Sequence, residues 1–388
     1  MVLRLLTPLK GKSFFLFGAR GTGKTTFLNA YFNAKNSVRI DLLDPAKVDE
    51  LSLVPSRFRE FVLSPENLGK TIIVDEIQRL PKLLDYVHML IESHRIRFAL
   101  TGSSARRLRQ KGVNLLAGRA LVYDLFSFTC EELGDSFDLE RILQRGGLPE
   151  SYLAQSDEEA NEYLRAYGLT YLEKEIQQEQ WVRKLDPFRK FLQVAAQMNG
   201  EPINRSSIAK DVGVDDMTIE SYFQILVDTL MGFFLPAYHL SVRKQQRQAP
   251  KFYFFDTGIK RALDRSLRVP LLPQTTEFGR VFEHWVFLEL YRRSSYQRLD
   301  WEFYYLRTKD NAEIDFVIKR PGERLLLIEV KSTDRVHEKD AKMLETLGKD
   351  LEKKSERILI SRDPLLHQYG GTIGLHWKEA FRKFFKNH

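Results

Sequence analysis

Residues 18–25 have the sequence Gly18-Ala19-Arg20-Gly21-Thr22-Gly23-Lys24-Thr25, which is a complete G-x-x-x-x-G-K-[ST] motif. This motif restricts the fold more than any other segment, because it requires a strand before the loop and a helix after it. The apolar run from Ser13 to Phe17 suits the strand, and the run from Thr25 to Phe32 suits the helix. The glycines let backbone N–H groups approach a polyphosphate, and the helix amino terminus adds its positive dipole end. We therefore predict an α/β domain that binds a nucleoside triphosphate.

The residue types at the end of the motif predict their individual contacts. Lys24 is expected to reach the β- and γ-phosphates, and the Thr25 hydroxyl is expected to bind Mg²⁺. ATP and Mg²⁺ are accordingly the predicted cofactors. The candidate nucleotide-binding residues of the loop are Gly18, Ala19, Arg20, Gly21, Thr22, Gly23, Lys24, Thr25 and Thr26.

A second strand-like segment, Thr71 to Val74, ends in the carboxylates of Asp75 and Glu76. In a phosphate-loop protein, an acid at such a strand end holds Mg²⁺ through water, and a neighbouring acid polarises the attacking water. We therefore expect Asp75 to bind Mg²⁺ and Glu76 to act as the general base.

A third apolar segment, Ile96 to Leu100, leads into Thr101 and Ser103. Hydroxyl groups at this edge of the sheet would reach the γ-phosphate or the attacking water, so both residues are candidate sensors. A serine that caps the following helix would give the same sequence pattern, and the pattern leaves both roles open.

Length and cysteine content limit the class of protein. A chain of 388 residues is long enough for about two or three domains. The single cysteine, Cys130, excludes an internal disulfide and a cysteine-based zinc cluster, and it fits a reducing compartment. The sequence shows no apolar run long enough to span a membrane and no signal-peptide pattern, since its apolar start breaks at Pro8. We expect a cytoplasmic protein with no membrane partner.

Changes in residue pattern predict four domains along the chain. Strand-like runs alternate with helical runs in residues 1–130, which is typical of a parallel sheet and predicts the P-loop ATPase core. Helical periodicity predicts a helical lid over 131–185. Helices joined by a glycine turn and followed by an apolar strand predict a winged helix-turn-helix over 186–245. Residues 246–388 combine a long helix with two strands and are predicted to form the fourth domain.

The winged helix-turn-helix has an unusual charge for a DNA-binding module. The helix that would enter the groove contains no lysine or arginine but four acids, Asp215, Asp216, Glu220 and Asp228. Four carboxylates are poorly suited to lie against phosphates. The basic residues that could contact a nucleic-acid backbone instead follow the wing and are Arg243, Lys244 and Arg247. Contact with DNA and packing against protein are both open for this module.

The basic charge of the chain is concentrated in its C-terminal part. Residues 241–388 contain 30 Lys and Arg against 21 Asp and Glu, whereas residues 1–240 contain 30 against 31. The whole excess, which gives the chain a net charge of +8, therefore lies where a polyanion-binding domain would show it. DNA, duplex or branched, is the predicted partner. A basic surface that serves only solubility is the alternative.

The C-terminal part also contains a second set of candidate catalytic residues. Asp315 lies on one predicted strand and Glu329-x-Lys331 on the next, and a Pro-Gly turn between them predicts a hairpin. Glu283 on the preceding helix adds a further acid. This is the PD-(D/E)xK nuclease pattern, in which Asp315 and Glu329 would bind Mg²⁺ with help from Glu283. Lys331 would orient the attacking water. An exposed salt-bridged hairpin is the alternative.

Short landmarks occur along nearly the full length of the chain. Besides the phosphate loop they are Asp75-Glu76-Ile77-Gln78, Leu100-Thr101-Gly102-Ser103-Ser104, Leu116-Ala117-Gly118-Arg119, Gly146-Gly147-Leu148-Pro149, Phe255-Asp256-Thr257-Gly258, Phe282-Glu283, Glu313-Ile314-Asp315-Phe316 and Ile328-Glu329-Val330-Lys331. With these landmarks the chain resembles the bacterial and archaeal AAA-type ATPases that carry a C-terminal DUF4143 domain. The resemblance implies an ATPase core, a winged helix and a restriction-endonuclease-like α/β domain, and it leaves the biological role open.

The resemblance also implies assembly. Oligomeric ATPases of this class complete their active site with an arginine from a neighbouring subunit, and Gly118-Arg119 follows the predicted sensor strand. We expect Arg119 to be this residue in a homo-oligomer, for which a hexamer is one candidate. Arg106 and Arg145 are rival candidates, and an arginine paired within its own domain is the alternative.

Two functions from different classes are consistent with these patterns. In the first, ATP hydrolysis in residues 1–130 drives binding or remodelling of DNA by the C-terminal domain, with Mg²⁺-dependent cleavage as an additional activity. In the second, the ATPase is a slow switch, and the nuclease-like domain is a non-catalytic binding module of a regulatory or antitoxin-like protein. Metal-dependent cleavage of DNA separates the two.

Overall fold

The computed structural model describes residues 2–103, 116–168, 185–239, 248–310, 312–351 and 355–385. The chain divides into two compact units. The first is Met1–Phe128 together with Asp228–Met231, and the second is Thr129–Val227 together with Gly232–His388. Within the described ranges, every helix is too short or too polar to span a bilayer.

A five-stranded parallel sheet forms the centre of the first unit. Its strands are β1 (Ser13–Phe17), β2 (Ser37–Asp41), β3 (Thr71–Asp75), β4 (Arg97–Gly102) and β5 (Ala120–Asp124). They lie in the order β2-β3-β4-β1-β5, and every neighbouring pair is parallel. Strands β1 and β3 are buried along their whole length, which is typical of a parallel sheet covered on both faces. The predicted parallel α/β sheet is confirmed.

In the described part of this unit, helices connect and cover the strands. They are α1 (Lys24–Tyr31), α2 (Pro45–Leu53), α3 (Ser56–Val62) and α4 (Leu83–His94). The core packs Phe58 of α3 and Val87 of α4 with Phe98 of β4, and all three side chains are fully buried. The strand order places β3, β4 and β1 side by side. The carboxyl ends of the three strands that precede the predicted nucleotide-site residues therefore meet at one edge of the sheet, where open α/β folds bind their ligands.

Helices form the amino-terminal half of the second unit. They are α5 (Cys130–Leu133), α6 (Leu139–Arg145), α7 (Pro149–Tyr152), α8 (Asp157–Ala166), α9 (Leu185–Gln197), α10 (Arg205–Val212) and α11 (Asp216–Asp228). Helix α10 ends at Gly213, whose φ of 82° is left-handed, and this turn leads into α11. Strands β6 (Gly232–Leu235) and β7 (Lys251–Phe254) then pair antiparallel. This is the element order expected for a winged helix-turn-helix, although the second wing strand lies beyond residue 245.

A six-stranded mixed sheet forms the rest of the second unit. Its strands are β8 (Glu302–Arg307), β9 (Glu313–Lys319), β10 (Leu326–Val330), β11 (Glu356–Ser361), β12 (His367–Tyr369) and β13 (Thr372–His376). The helices of this part are α12 (Thr257–Leu263), α13 (Thr276–Tyr296), α14 (Glu338–Leu351) and α15 (Trp377–Phe384). The sheet order is β12-β13-β11-β10-β9-β8, in which β10, β11 and β13 are parallel. Strands β9 and β10 form the antiparallel hairpin that the sequence predicts.

Asp256 fixes the Gly146-Gly147 turn to the start of α12. Its buried side chain accepts hydrogen bonds from the N–H groups of Gly147 (2.8 Å), Gly258 (3.0 Å) and Ile259 (3.2 Å). Gly146 has a φ of 73°, and a Cβ there would lie 1.9 Å from Asp256 Oδ1. Two landmarks that lie 109 positions apart in the sequence are therefore in direct contact.

Asp256→Ala should destabilise the second unit by about 2–4 kcal/mol, because three buried N–H groups lose their acceptor. Urea unfolding followed by circular dichroism measures the change. Asp138→Ala is the matched control, since Asp138 accepts one hydrogen bond, from the Arg141 N–H (2.7 Å), at the exposed start of α6. The control should cost about 1 kcal/mol. Equal losses in the two variants would contradict the role of Asp256.

Candidate functional site

The phosphate loop lies between β1 and α1, as its sequence predicts. Gly18 is required for space, because a Cβ there would lie 2.4 Å from the Leu125 carbonyl oxygen. Gly23 precedes α1 with a φ of 90°, a left-handed conformation that glycine adopts without strain. The buried Lys24 side chain donates from Nζ to the carbonyl oxygens of Gly18 (2.7 Å) and Ala19 (3.3 Å). The loop is therefore folded around the ammonium group that is expected to contact the phosphates.

The other loop residues differ in exposure. Thr22 is buried, and its hydroxyl donates a hydrogen bond to the Ala19 carbonyl oxygen (2.8 Å). Arg20, Thr25 and Thr26 are exposed. Thr22 therefore shapes the loop, whereas the three exposed side chains are accessible to a nucleotide.

Asp75 joins the loop to the neighbouring strands. It is a buried carboxylate at the end of β3, and Thr25 Oγ1 lies 3.2 Å from its Oδ2. Its Oδ1 accepts a hydrogen bond from the Thr101 hydroxyl. A carboxylate and a hydroxyl that converge from two elements are the oxygen donors that Mg²⁺ prefers. Asp75 and Thr25 therefore fit a Mg²⁺ ion at the position that the sequence predicts.

Glu76, the predicted general base, has a φ of 59°, a left-handed conformation that is strained for a residue with a side chain. Its N–H donates to Thr101 Oγ1 (3.1 Å), and its carboxylate accepts a hydrogen bond from Gln78 Nε2. The same Nε2 lies 3.3 Å from Ser103 Oγ. Thr101 and Ser103 thus lie beside the two predicted acids, and their roles as sensors stay predictions.

Gln78 is a site residue to which the sequence assigned no role. Its side chain is buried, and Gly102 leaves room for it, because a Cβ on Gly102 would lie 2.6 Å from Gln78 Oε1. The available signal was its place in the Asp75-Glu76-Ile77-Gln78 landmark. The structure shows that this buried amide orients the Glu76 carboxylate.

Arg119 lies at the opposite edge of the sheet from the phosphate loop. It immediately precedes β5, whereas the loop follows β1, and these two strands are parallel neighbours. Its side chain forms an ion pair with Glu92 near the end of α4. At this edge Arg119 is remote from the loop of its own subunit, so a role in hydrolysis requires a neighbouring subunit and stays a prediction.

The rival candidates have other positions. Arg145 donates from Nε to Asp157 Oδ1 (2.8 Å) and from Nη1 to the Ala154 carbonyl oxygen (3.0 Å), contacts that hold its own helical region together. The basic candidates that lie outside the described residues are Arg106, Arg243, Lys244 and Arg247.

The predicted acids of the C-terminal part converge with the predicted lysine beside the β9–β10 hairpin. Lys331 Nζ donates to Glu329 Oε1 (2.6 Å), and Asp315 Oδ2 accepts from the Val330 N–H (2.7 Å). Glu283 reaches the same cluster from α13, and its carboxylate interacts electrostatically with that of Asp315. Glu329 is buried, Glu283 and Asp315 are partly buried, and the Lys331 side chain is 38% exposed.

Two residues of β7 enter this cluster although the sequence gave no sign of them. The Tyr253 hydroxyl donates to Glu283 Oε1 (2.5 Å). Lys251 Nζ pairs with Glu313 and lies 3.9 Å from Glu283 Oε1. Both β7 side chains are buried. Lys251 lies 62 positions before Glu313, so only the tertiary fold brings these charges together.

Burial governs the ionisation of these acids. It raises the pKa of Glu283 to about 7 and that of Glu329 to about 8, and the nearby Asp315 carboxylate adds to both shifts. Burial also raises the pKa of Asp315. Burial alone would lower the pKa of Lys331, but the Glu329 and Asp315 carboxylates outweigh it and raise that pKa. The charge of each group in the cluster therefore depends on its neighbours.

Each carboxylate of this cluster has one oxygen bonded to another group of the chain. Across the described ranges, no three His, Cys, Asp or Glu side chains are grouped so that they could bind one ion. Glu329 Oε1 is bonded to Lys331, Glu283 Oε1 to Tyr253, and Asp315 Oδ2 to a backbone N–H. Glu329 Oε2 is buried and forms no hydrogen bond with any described residue, so one carboxylate oxygen of the cluster stays available. The predicted roles of Glu283, Asp315, Glu329 and Lys331 in cleavage stay predictions.

Comparison with known proteins assigns three regions of the chain. A model of an AAA domain matches residues 10–134, and the domain of unknown function DUF4143 matches residues 278–372. A further domain of unknown function, DUF8612, matches residues 136–269. Two uncharacterized proteins, one from Mycobacterium tuberculosis and one from Mycobacterium bovis, are each 28% identical to the chain over 323 residues. The similarity covers 82% of this chain and 70% of each relative.

The matches coincide with the two clusters of candidate residues. The AAA match contains the phosphate loop, Asp75 and Glu76, and the DUF4143 match contains Glu283 and the β9–β10 hairpin. The DUF8612 match, which the sequence analysis did not foresee, covers the helical region and both wing strands. The chain therefore contains an AAA domain over residues 10–134 and a DUF4143 region over residues 278–372.

Proposed function

We propose that this protein hydrolyses ATP and couples the hydrolysis to the binding of DNA by its C-terminal part. The observation that carries the proposal is the convergence of Lys24, Thr25 and Asp75 at one edge of the parallel sheet, beside an oriented Glu76. The excess of basic residues in 241–388 supports DNA as the partner.

Each residue of the nucleotide site has a separate task in this proposal. Lys24 and the loop N–H groups bind the phosphates, and the Thr25 hydroxyl and the Asp75 carboxylate hold Mg²⁺. Mg²⁺, when bound, offsets the charge that develops on the phosphate oxygens. Glu76 accepts a proton from the attacking water, and the Gln78 amide keeps its carboxylate in position.

Two substitutions should separate nucleotide binding from hydrolysis. Lys24→Ala should abolish tight ATP binding, because the loop loses its ammonium group. Glu76→Gln should retain binding and lower turnover by about 100-fold or more, because the water loses its base. Titration with a fluorescent ATP analogue and steady-state phosphate release measure the two effects. Glu66→Gln, at an exposed position of the same unit, is the control and should keep wild-type turnover. Equal turnover in wild type and Glu76→Gln would refute the base assignment.

The position of Arg119 leads to a prediction about assembly. If Arg119 acts on the nucleotide of a neighbouring subunit, specific ATPase activity should rise with protein concentration. Mixing inactive Arg119→Ala with inactive Lys24→Ala should restore part of the activity, because some interfaces then contain one intact loop and one intact arginine. Phosphate release over a dilution series and over a mixing series tests this. Concentration-independent turnover by a monomer would exclude a shared site.

One observation favours the second function, in which the C-terminal domain binds without cutting. Lys251 and Tyr253 of β7 contact Glu313 and Glu283, and Lys331 contacts Glu329, so the chain supplies its own counter-ions and donors to the acids. A site whose acids are bonded to cations and donors of the chain resembles a structural charge network more than a prepared metal site. We therefore propose that the nuclease-like domain acts as a binding module.

The binding-module function predicts no Mg²⁺- or Mn²⁺-dependent nicking of supercoiled or branched DNA by the wild type. Asp315→Ala and Glu329→Ala should bind DNA equally or more tightly, because each removes a carboxylate that repels phosphates. Gel assays of nicking and binding on the same preparations measure both. Metal-dependent nicking that Asp315→Ala abolishes and Lys331→Ala reduces would contradict the module and establish a nuclease.

A further inference from the structure

A cavity of about 780 Å³ lies in the second unit and carries four arginines on its wall. Its lining comes from three segments, namely α8, α9 and the end of α12 with the loop that follows. The arginines are Arg165, Arg189, Arg265 and Arg268. The rest of the lining is mostly apolar and includes Leu192 and Leu263, with Gln193 as a polar member. Neither the ATPase site nor the carboxylate cluster shares these residues.

Two of the four arginines of this arginine-lined cavity have ion-pair partners among the described residues. Arg165 pairs with Glu162 on α8, and Arg189 pairs with Asp186 (3.0 Å) on α9. Exposed pairs of neighbouring helix residues are weak, so Arg165 can turn to another anion at little cost. Arg265 and Arg268 are exposed and form no ion pair with any residue that the structure describes. Among the residues that the structure describes, the cavity therefore has two arginines, Arg265 and Arg268, without an ion-pair partner.

The loop that carries Arg265 and Arg268 is held in place from inside. Arg261 is buried and donates from Nη2 to the carbonyl oxygens of Ser266 (2.7 Å) and Val269 (2.5 Å). The N–H of Ser266 also donates to an Asp264 carboxylate oxygen (3.0 Å). A loop fixed in this way loses little further conformational entropy when a ligand binds. The two exposed guanidinium groups are thus presented on a rigid support.

We propose that the arginine-lined cavity binds the phosphodiester backbone of a nucleic-acid strand, an inference that rests on the proposed DNA-binding function. Arginines on three separate segments suit a repeating anion better than a single phosphate, since each guanidinium can bind phosphate oxygens bidentately. The apolar part of the lining suits sugars and bases. Helix α11 contains no arginine or lysine. Two of its acids already contact α10: Glu220 pairs with Arg205, and Asp216 accepts a hydrogen bond from the Ser206 hydroxyl (2.6 Å).

The test compares the full-length wild type with Arg265→Ala/Arg268→Ala in fluorescence anisotropy on labelled duplex and branched DNA over a salt series. Loss of two phosphate contacts should flatten the log–log salt dependence by about 1.8 and weaken binding about tenfold near 0.1 M salt. Lys82→Ala/Arg95→Ala is the matched control. It removes the same charge from the first unit, and Arg95 (φ 53°) has the left-handed backbone of Arg265 (φ 63°). The control should keep the wild-type slope.

The outcomes separate this site from the proposed function. The wild type could bind DNA while the double variant keeps the same salt slope and affinity. That result would refute the cavity as the binding site and would be consistent with the proposed function. A wild type that binds no DNA would overturn both. If the double variant shows no thermal unfolding transition and is therefore unfolded, the single variant Arg268→Ala replaces it, because Arg268 lies in a loop. This variant should flatten the log–log salt dependence of DNA binding by about 0.9. A defect limited to binding of inorganic polyphosphate would indicate a small-anion site and overturn the inference.

Discussion

The hydrogen bonds of the Asp75 carboxylate hold the candidate nucleotide site of the first unit together. Asp75 ends a fully buried strand and binds the hydroxyls of Thr25, from the helix after the phosphate loop, and Thr101, from the neighbouring strand. The Thr101 hydroxyl in turn accepts a hydrogen bond from the N–H of Glu76. The Gln78 amide orients the Glu76 carboxylate. A parallel sheet in the order β3-β4-β1 is what brings these groups to one edge. Fold and site are thus specified by the same strand pairing.

In the second unit the acidic and the basic side chains lie in different places. Its acids lie in a partly buried cluster, and the chain provides Lys251, Lys331 and Tyr253 as their partners. Arg265 and Arg268, which form no ion pair with a described residue, lie elsewhere, on the loop after α12. Buried charges need partners, whereas exposed arginines are available to an external polyanion. This division explains why a nuclease-like pattern and a basic surface can occur in one unit without forming one site.

Much of the fold and part of the site could be predicted because the signals are local. The phosphate loop, the acids at the end of β3 and the β9–β10 hairpin each depend on a few neighbouring residues, and the structure contains all three. Lys251 and Tyr253 could not be assigned to the carboxylate cluster, because a distant strand brings them there. Gln78 and the Arg261-supported loop were missed for a similar reason: their roles depend on side-chain hydrogen bonds that no sequence spacing specifies. The DNA-binding role of residues 241–388 rests on charge alone and stays a proposal.

The central claim is that ATP hydrolysis in the first unit is coupled to DNA binding in the second. The most direct measurement is steady-state phosphate release by the full-length chain in Mg²⁺ and ATP, with and without duplex or branched DNA, at one protein concentration and low salt. The account predicts hydrolysis without DNA and a several-fold change in turnover when DNA is added, an effect that higher salt should remove as phosphate contacts are lost. Turnover that is identical with and without saturating DNA would contradict the coupling, and absence of turnover under every condition would contradict the ATPase itself.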